Sequence, residues 1–169
     1  GNYRRVQYRS LVFSYVLLIG WMCVIFFLSS EGNAASTGRS DTVVEALRFL
    51  GISGQTDLLT FITRKSAHFF AFLTLGVLAY SALRLHKLTP KLTIAICSAI
   101  VVLFAISDEV HQLFVPGRSG EVRDVIIDSV AGIIGIGLAS VYFAYRSKRI
   151  TANKNTIKYK LAKLKHVWD

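Results

Sequence analysis

Four stretches of the chain are apolar almost without interruption: Leu11 to Leu28, a second ending at Leu83, a third starting near Leu92 and a fourth running to Tyr145. At about 1.5 Å per helical residue, even the first covers roughly 27 Å, close to the hydrocarbon thickness of a bilayer. The pattern predicts an all-α polytopic membrane protein: a bundle of four transmembrane helices, a short extracytoplasmic interfacial helix and a basic cytoplasmic tail. The second helix should begin near Thr56 or Asp57, because "LLTFI" leads into Arg64 and Lys65 without a breaker. The third should start after Pro90 and run through "SDEVHQLFV" until Pro116 and Gly117 stop it; "GRSG" then turns the chain into a fourth that begins near Glu121.

Smaller periodicities refine this picture. In "DTVVEALRFLG", Val43, Val44, Leu47 and Leu50 share one helical face, Asp41 can cap the start and Gly51 the end, which predicts a short helix lying at the outer interface. On the fourth helix Ala131, Gly135 and Ala139 are four apart with Gly132 beside them, a face that lets another helix approach closely. Asp124 and Asp128 continue that face and need internal partners, so it is expected to meet the third helix rather than a second copy of the chain. The membrane domain is placed at residues 1–149. Residues 150–169 form a basic amphipathic tail whose Ile157, Leu161, Leu164 and Trp168 align between lysines, a pattern suited to anionic lipid headgroups.

Composition and charge add orientation. Hydrophobic residues make up 53% of 169 positions, more than a soluble domain of this size can bury, so lipid is part of the solvent. Arg4, Arg5 and Arg9 before the first stretch and "SSEGNAAS" after it resemble a signal peptide, but the long aromatic-rich run and the three later spans favour a retained anchor. The net charge of +10 is unevenly spread: 14 of the 20 Lys and Arg lie at the termini and between the second and third stretches, and 6 on the other side. That asymmetry argues against nucleic acid as partner and for a multi-pass protein with both termini cytoplasmic. Cys23 and Cys97 fall at different depths in this topology, which disfavours a disulfide.

The same topology gathers polar residues in the outer third of the bundle: Lys65 and His68 one turn apart, Asp108, Glu109, His111 and Gln112 on one side of the third helix, Arg118 in the turn, and Asp124 and Asp128 on the fourth. A charge at membrane depth costs at least about 2.5–3.5 kcal/mol on insertion scales, so such a cluster neutralises itself or lines a wet cavity. Three readings stay open. The cluster locks helices together; or it holds a metal, with Asp108 and His111 at i, i+3 completed by His68 and Asp124 or Asp128, a spacing that permits a site without a diagnostic signature; or it performs acid–base chemistry or anion recognition, with His68 or Glu109 carrying the proton and Lys65 and Arg118 holding a phosphate or carboxylate. Arg118 is expected to fold back between Asp108 and Asp124, whose depths differ by about 6 Å.

"KSAHFFAF" followed by "SDEVHQLFVPGRSGEVRDVIIDSVAGIIG" resembles the VanZ-like family of small bacterial membrane proteins over Lys65 to Gly137. The resemblance picks out Lys65, His68, Asp108, Glu109, Gln112, Arg118 and Asp124, and shows two departures: Phe72 where Tyr is usual and Asp128 where Asn is usual. It implies a bacterial cell membrane protein that acts on or binds a lipid-linked envelope molecule, or a lipoglycopeptide antibiotic, and contributes to teicoplanin-type resistance. On these combined grounds His68, Asp108, Glu109 and Asp124 are the candidate catalytic groups, and Lys65, His111, Gln112, Arg118 and Asp128 the candidate substrate-binding groups. Catalysis and pure binding both stay open, because no Ser or Cys stands beside a His in a recognised motif, and no cofactor is specified.

Overall fold

The computed structural model describes residues 2–30, 56–116 and 120–165, together with Thr42, Glu45, Ala46 and Phe49. Helices α1 (Asn2–Ser30), α2 (Thr56–Leu83), α3 (Pro90–Gln112) and α4 (Val122–Lys165) make up most of them, with a 3-10 turn at Arg84–His86 and no strand among the described residues. All four helices are long and apolar enough to cross a membrane. The chain is thus an all-α, multi-pass membrane protein, as its hydrophobic pattern predicts. The interfacial helix expected at residues 41–51 lies outside the described residues apart from Thr42, Glu45, Ala46 and Phe49, which are helical and exposed. Arg118 and Trp168 also lie outside them.

Local chemistry explains the helix ends. α2 begins at Thr56, and α3 begins with Pro90 in the first turn, where a missing N–H needs no partner. Thr89 caps α3, its hydroxyl accepting from the Leu92 N–H at 3.3 Å. α3 stops at Gln112, before Pro116 itself. Proline disfavours helical geometry in the residue ahead of it, and the chain there tightens into i→i+3 bonds, Phe114 to His111 at 3.0 Å and Val115 to Gln112 at 3.1 Å. α4 is 44 residues long, about 66 Å, and continues unbroken through residues 149 and 150, so its basic C-terminal half projects well beyond a bilayer core of about 30 Å.

The α2–α4 contact is the most extensive in the bundle. Lys65 meets Asp124, His68 meets Asp128 and Leu73 meets Gly135, a rising register that makes these two helices parallel. A Cβ added at Gly76 would sit 2.0 Å from the Gly132 carbonyl oxygen, and one at Gly135 would sit 2.0 Å from that of Leu73. Backbone therefore touches backbone, which only residues without a side chain permit. The small-residue face is internal to the chain, but the expectation that it meets α3 is corrected: Gly135 packs on α2, while α3 reaches the neighbouring Gly132 through the Val101 side chain. The bulky α3 face, with Val101 fully buried, cannot approach as closely as α2 does at Gly76.

Around this contact the core is apolar, with Phe72 and Leu75 from α2, Val101 and Ala105 from α3, and Ala131 and Ile136 from α4. α1 adds Leu18 and Ile25, and Trp21 donates its indole N–H to the Ala71 carbonyl at 2.9 Å. Its other face exposes Phe13, Val16, Ile19 and Phe27, as a helix bordering lipid would. Cys23 is exposed and Cys97 buried, and both thiols are free.

Gly135→Leu should therefore disrupt the folded protein. Overpacking typically costs about 1–3 kcal/mol where side chains can shift; here backbone is the obstacle, so the loss should reach or pass the top of that range. Gly137→Leu is the control, since nothing lies within 4 Å of a Cβ added there. Melting of the two variants in detergent should separate them clearly; equal melting would refute the α2–α4 contact.

Candidate functional site

The helix ends bring one polar side chain set together from all four helices. α1 ends at this end of the bundle with Ser29, α2 supplies Lys65 and His68 one turn apart, α3 supplies Asp108, Glu109 and Gln112, and α4 supplies Asp124 and Asp128 near its start. The i, i+3 and i, i+4 spacings place each set on the inward side of its helix, which is why residues far apart in sequence converge.

Asp108 is fully buried. Its Oδ2 accepts from the Ser29 hydroxyl at 2.7 Å and from the Gln112 amide at 3.3 Å, whereas its Oδ1 is buried with no hydrogen-bond partner. Glu109, also buried, accepts from Gln112 at 3.3 Å through Oε1 and from the Glu121 backbone N–H at 2.9 Å through Oε2. The latter bond occupies a donor at the start of α4 and places negative charge at a helix N-terminus, where it is favoured. It depends on Gly120, where an added Cβ would lie 2.8 Å from the Glu109 carbonyl oxygen. Lys65 donates to Asp124 Oδ2, and Asp124 Oδ1 is buried without a hydrogen-bond partner. His68 Nδ1 stands 3.5 Å from Asp128 Oδ2.

Four carboxylates thus converge with Lys65 and His68 in the interior of a membrane bundle. Removing a carboxylate from water is costly unless charge and hydrogen bonds replace the water, and here the replacement is incomplete. Donor atoms of His68, Asp108 and Asp128 all lie within 4.8 Å of one another, which makes these three, among the described residues, a set able to share a cation.

Of the expected site residues, Lys65, His68, Asp108, Glu109, Gln112, Asp124 and Asp128 come together as described. His111 faces α1 instead: its ring stacks on Phe26 with centroids 4.1 Å apart, and it lies outside the cation-sharing group, contrary to the Asp108–His111 pairing considered from the spacing. The helical turn that carries Asp108 toward the interior rotates His111 to the α1 side. Arg118 lies outside the described residues. Two participants escaped sequence reasoning. Ser29 looked like part of a small-residue loop boundary, although its place at the end of an apolar span matched the depth of Asp108; the Glu121 N–H is backbone and leaves no sequence signal.

The family model for VanZ/LLP1 matches residues 13–143, from the first span through the fourth. The chain belongs to the VanZ/LLP1 family. No curated protein and no solved structure matches it. Within this VanZ/LLP1 chain the two departures from the family pattern acquire surroundings. Phe72, at the Tyr position, is fully buried and packs against Phe104 with centroids 5.9 Å apart, in apolar core one turn beyond His68. Asp128, at the Asn position, is the carboxylate that faces His68.

Lys65→Met should lower stability by leaving the half-buried Asp124 uncompensated. The double variant Lys65→Met with Asp124→Asn should recover much of the loss, since removing both charges costs less than stranding one. Thermal melts of the four members of this cycle check it. A double variant as unstable as the sum of the two singles would show that the pair contributes no coupling.

Proposed function

We infer that this membrane protein binds a lipid-linked molecule of the cell envelope, or a lipid-tailed glycopeptide antibiotic, from within the bilayer, and that this underlies a contribution to teicoplanin-type resistance. One observation supports the reading above the rest. A groove of ≈ 400 Å³ runs between α3 and α4, walled by Ile106, Val110, Leu113, Val122 and Val125, with Glu109 and Glu121 also in its lining. Ile106, Val110, Leu113 and Val122 are exposed on the lipid-facing surface. An acyl or isoprenoid chain can enter such a groove sideways from the membrane, with its head group directed at the carboxylate cluster.

A network that only locks helices accounts for the Lys65–Asp124 and Ser29–Asp108 pairings. It does not account for the buried oxygens Asp108 Oδ1 and Asp124 Oδ1, which a ligand or ion can use. In this reading Glu109, His68, Asp108 and Asp124 face the reacting or recognised part of the head group, and Lys65, Gln112, Asp128 and Arg118 orient it. Hydrolysis or group transfer is the reaction class if bound lipid is converted, with Glu109 or His68 carrying the proton. The charge asymmetry supports a location of the site in the outer leaflet, with both termini cytoplasmic in a bacterial cell membrane. The basic half of α4 beyond Arg146 is suited to anionic lipid headgroups on the inner face.

Native mass spectrometry of the purified protein with extracted envelope lipids tests the reading. Val110→Trp, which fills the groove, should abolish retention of a specific lipid while the protein still melts near the parent temperature; Glu109→Gln should weaken it several-fold. A mass change in the lipid that disappears with Glu109→Gln would identify catalysis. Expression should raise the teicoplanin concentration needed to stop growth of a susceptible host, and Val110→Trp should cancel that effect. Retention unaffected by Val110→Trp would overturn the groove as the binding site.

A further inference from the structure

We propose that His68, Asp108 and Asp128 form a binding site for one divalent transition-metal ion of the Zn²⁺ or Mn²⁺ type. The donors come from three helices, α2, α3 and α4, and lie within 4.8 Å of one another. A four-coordinate ion with bonds of about 2.1 Å holds its ligand atoms roughly 3.4 Å apart. The His68 Nδ1 to Asp128 Oδ2 separation of 3.5 Å has that spacing and is longer than the usual 2.9–3.0 Å of an N–H···O hydrogen bond.

A second observation on one of these donors points to a ligand. Asp108 is wholly inaccessible to solvent, yet its Oδ1 has no hydrogen-bond partner. Such an oxygen is costly in a membrane interior unless a cation meets it. The other oxygen is already fixed by Ser29 at 2.7 Å and Gln112 at 3.3 Å, the arrangement that orients a ligating carboxylate.

Charge and donor type narrow the ion. Two carboxylates offset a divalent cation; with Asp108, Glu109, Asp124 and Asp128 against Lys65, the ion would reduce an excess of three negative charges to one. One imidazole and two carboxylates suit Zn²⁺ or Mn²⁺ better than Mg²⁺ or Ca²⁺, which take oxygen ligands, and three protein ligands leave a position open to a further group. The ion would sit among residues that the lipid reading places around the head group, but its donors do not line the α3–α4 groove, so ion binding is measured without lipid and can fail or succeed independently of it.

The test uses the full chain purified in detergent on a tag without histidine, stripped with chelator, then incubated with Zn²⁺ or Mn²⁺ separately and desalted. Elemental analysis should find one ion per chain from at least one of the two metals, bound saturably. Asp128→Asn preserves size and shape and removes only the charge, so it is expected to fold; it should lose affinity at least 10-fold, as should His68→Gln. Ser29→Ala, which removes a support of Asp108, should lose about 10- to 100-fold. Arg149→Gln, at an exposed position far along α4, should bind as the parent does. The unmodified protein provides a readout independent of any variant, because bound Mn²⁺ should show nitrogen coupling from one imidazole in its magnetic resonance spectrum, or Co²⁺ the intense visible absorption of a four-coordinate centre. Absence of saturable binding, equal affinity in Asp128→Asn, or spectra with neither signature would overturn the proposal.

Discussion

The rest of the molecule depends on the backbone contact between α2 and α4. Because Gly76 meets the Gly132 carbonyl and Gly135 meets that of Leu73, these parallel helices lie closer than any pair separated by side chains could. Their separation and register are then fixed, and with them the positions of Lys65 opposite Asp124 and His68 opposite Asp128. In a bilayer no hydrophobic force drives helices together, since lipid tails are as apolar as leucine, and close packing has to supply the association. A methyl group at either glycine would push apart both the helices and the charge pairs about two to three turns away. The site's precision is thus set by residues that carry no chemistry.

What that contact holds in place is electrostatically unfavourable by itself. Asp108, Glu109 and Asp128 are buried, and each is stabilised from a different direction: Asp108 by α1 through Ser29, Glu109 by the first turn of α4, Asp128 by His68 of α2. No one helix pair could satisfy all three, which gives every helix in the bundle, including the largely lipid-exposed α1, a stake in the site. α1 has few buried residues, but one of them is Ser29. A span that looks like a leader by its flanking charges and small residues contributes the strongest hydrogen bond on Asp108.

Sequence patterning revealed the helices because long apolar runs have few alternative structures in lipid, and breakers such as Pro90 act locally. Most of the site was legible for the same reason: a short connection between α3 and α4 keeps Asp108 and Asp124 at the same end of the bundle, whatever the side-chain details. Helix neighbours were not legible. The face of Ala131, Gly135 and Ala139 announces close approach, but small residues on α4 do not name their partner, and the matching gap on α2, Gly76, is a single residue in an apolar run. His111 illustrates the same limit at one residue's scale. Its spacing from Asp108 permits a shared ion, and only the placement of α1, with Phe26 against its ring, shows that it turns elsewhere.

Phe72 and Asp128 bear on His68 in different ways. Phe72 follows it by one turn on α2 and is sealed in apolar core, whereas Asp128 reaches from α4 to place a carboxylate 3.5 Å from the imidazole. The surroundings of His68 are thus apolar along its own helix toward Phe72 and negative toward α4. Both features strengthen the field that a buried cation would experience, because the same charge acts more strongly where water is excluded. The balance around His68 therefore rests on ion pairing, and Asp128 is the position on which it turns.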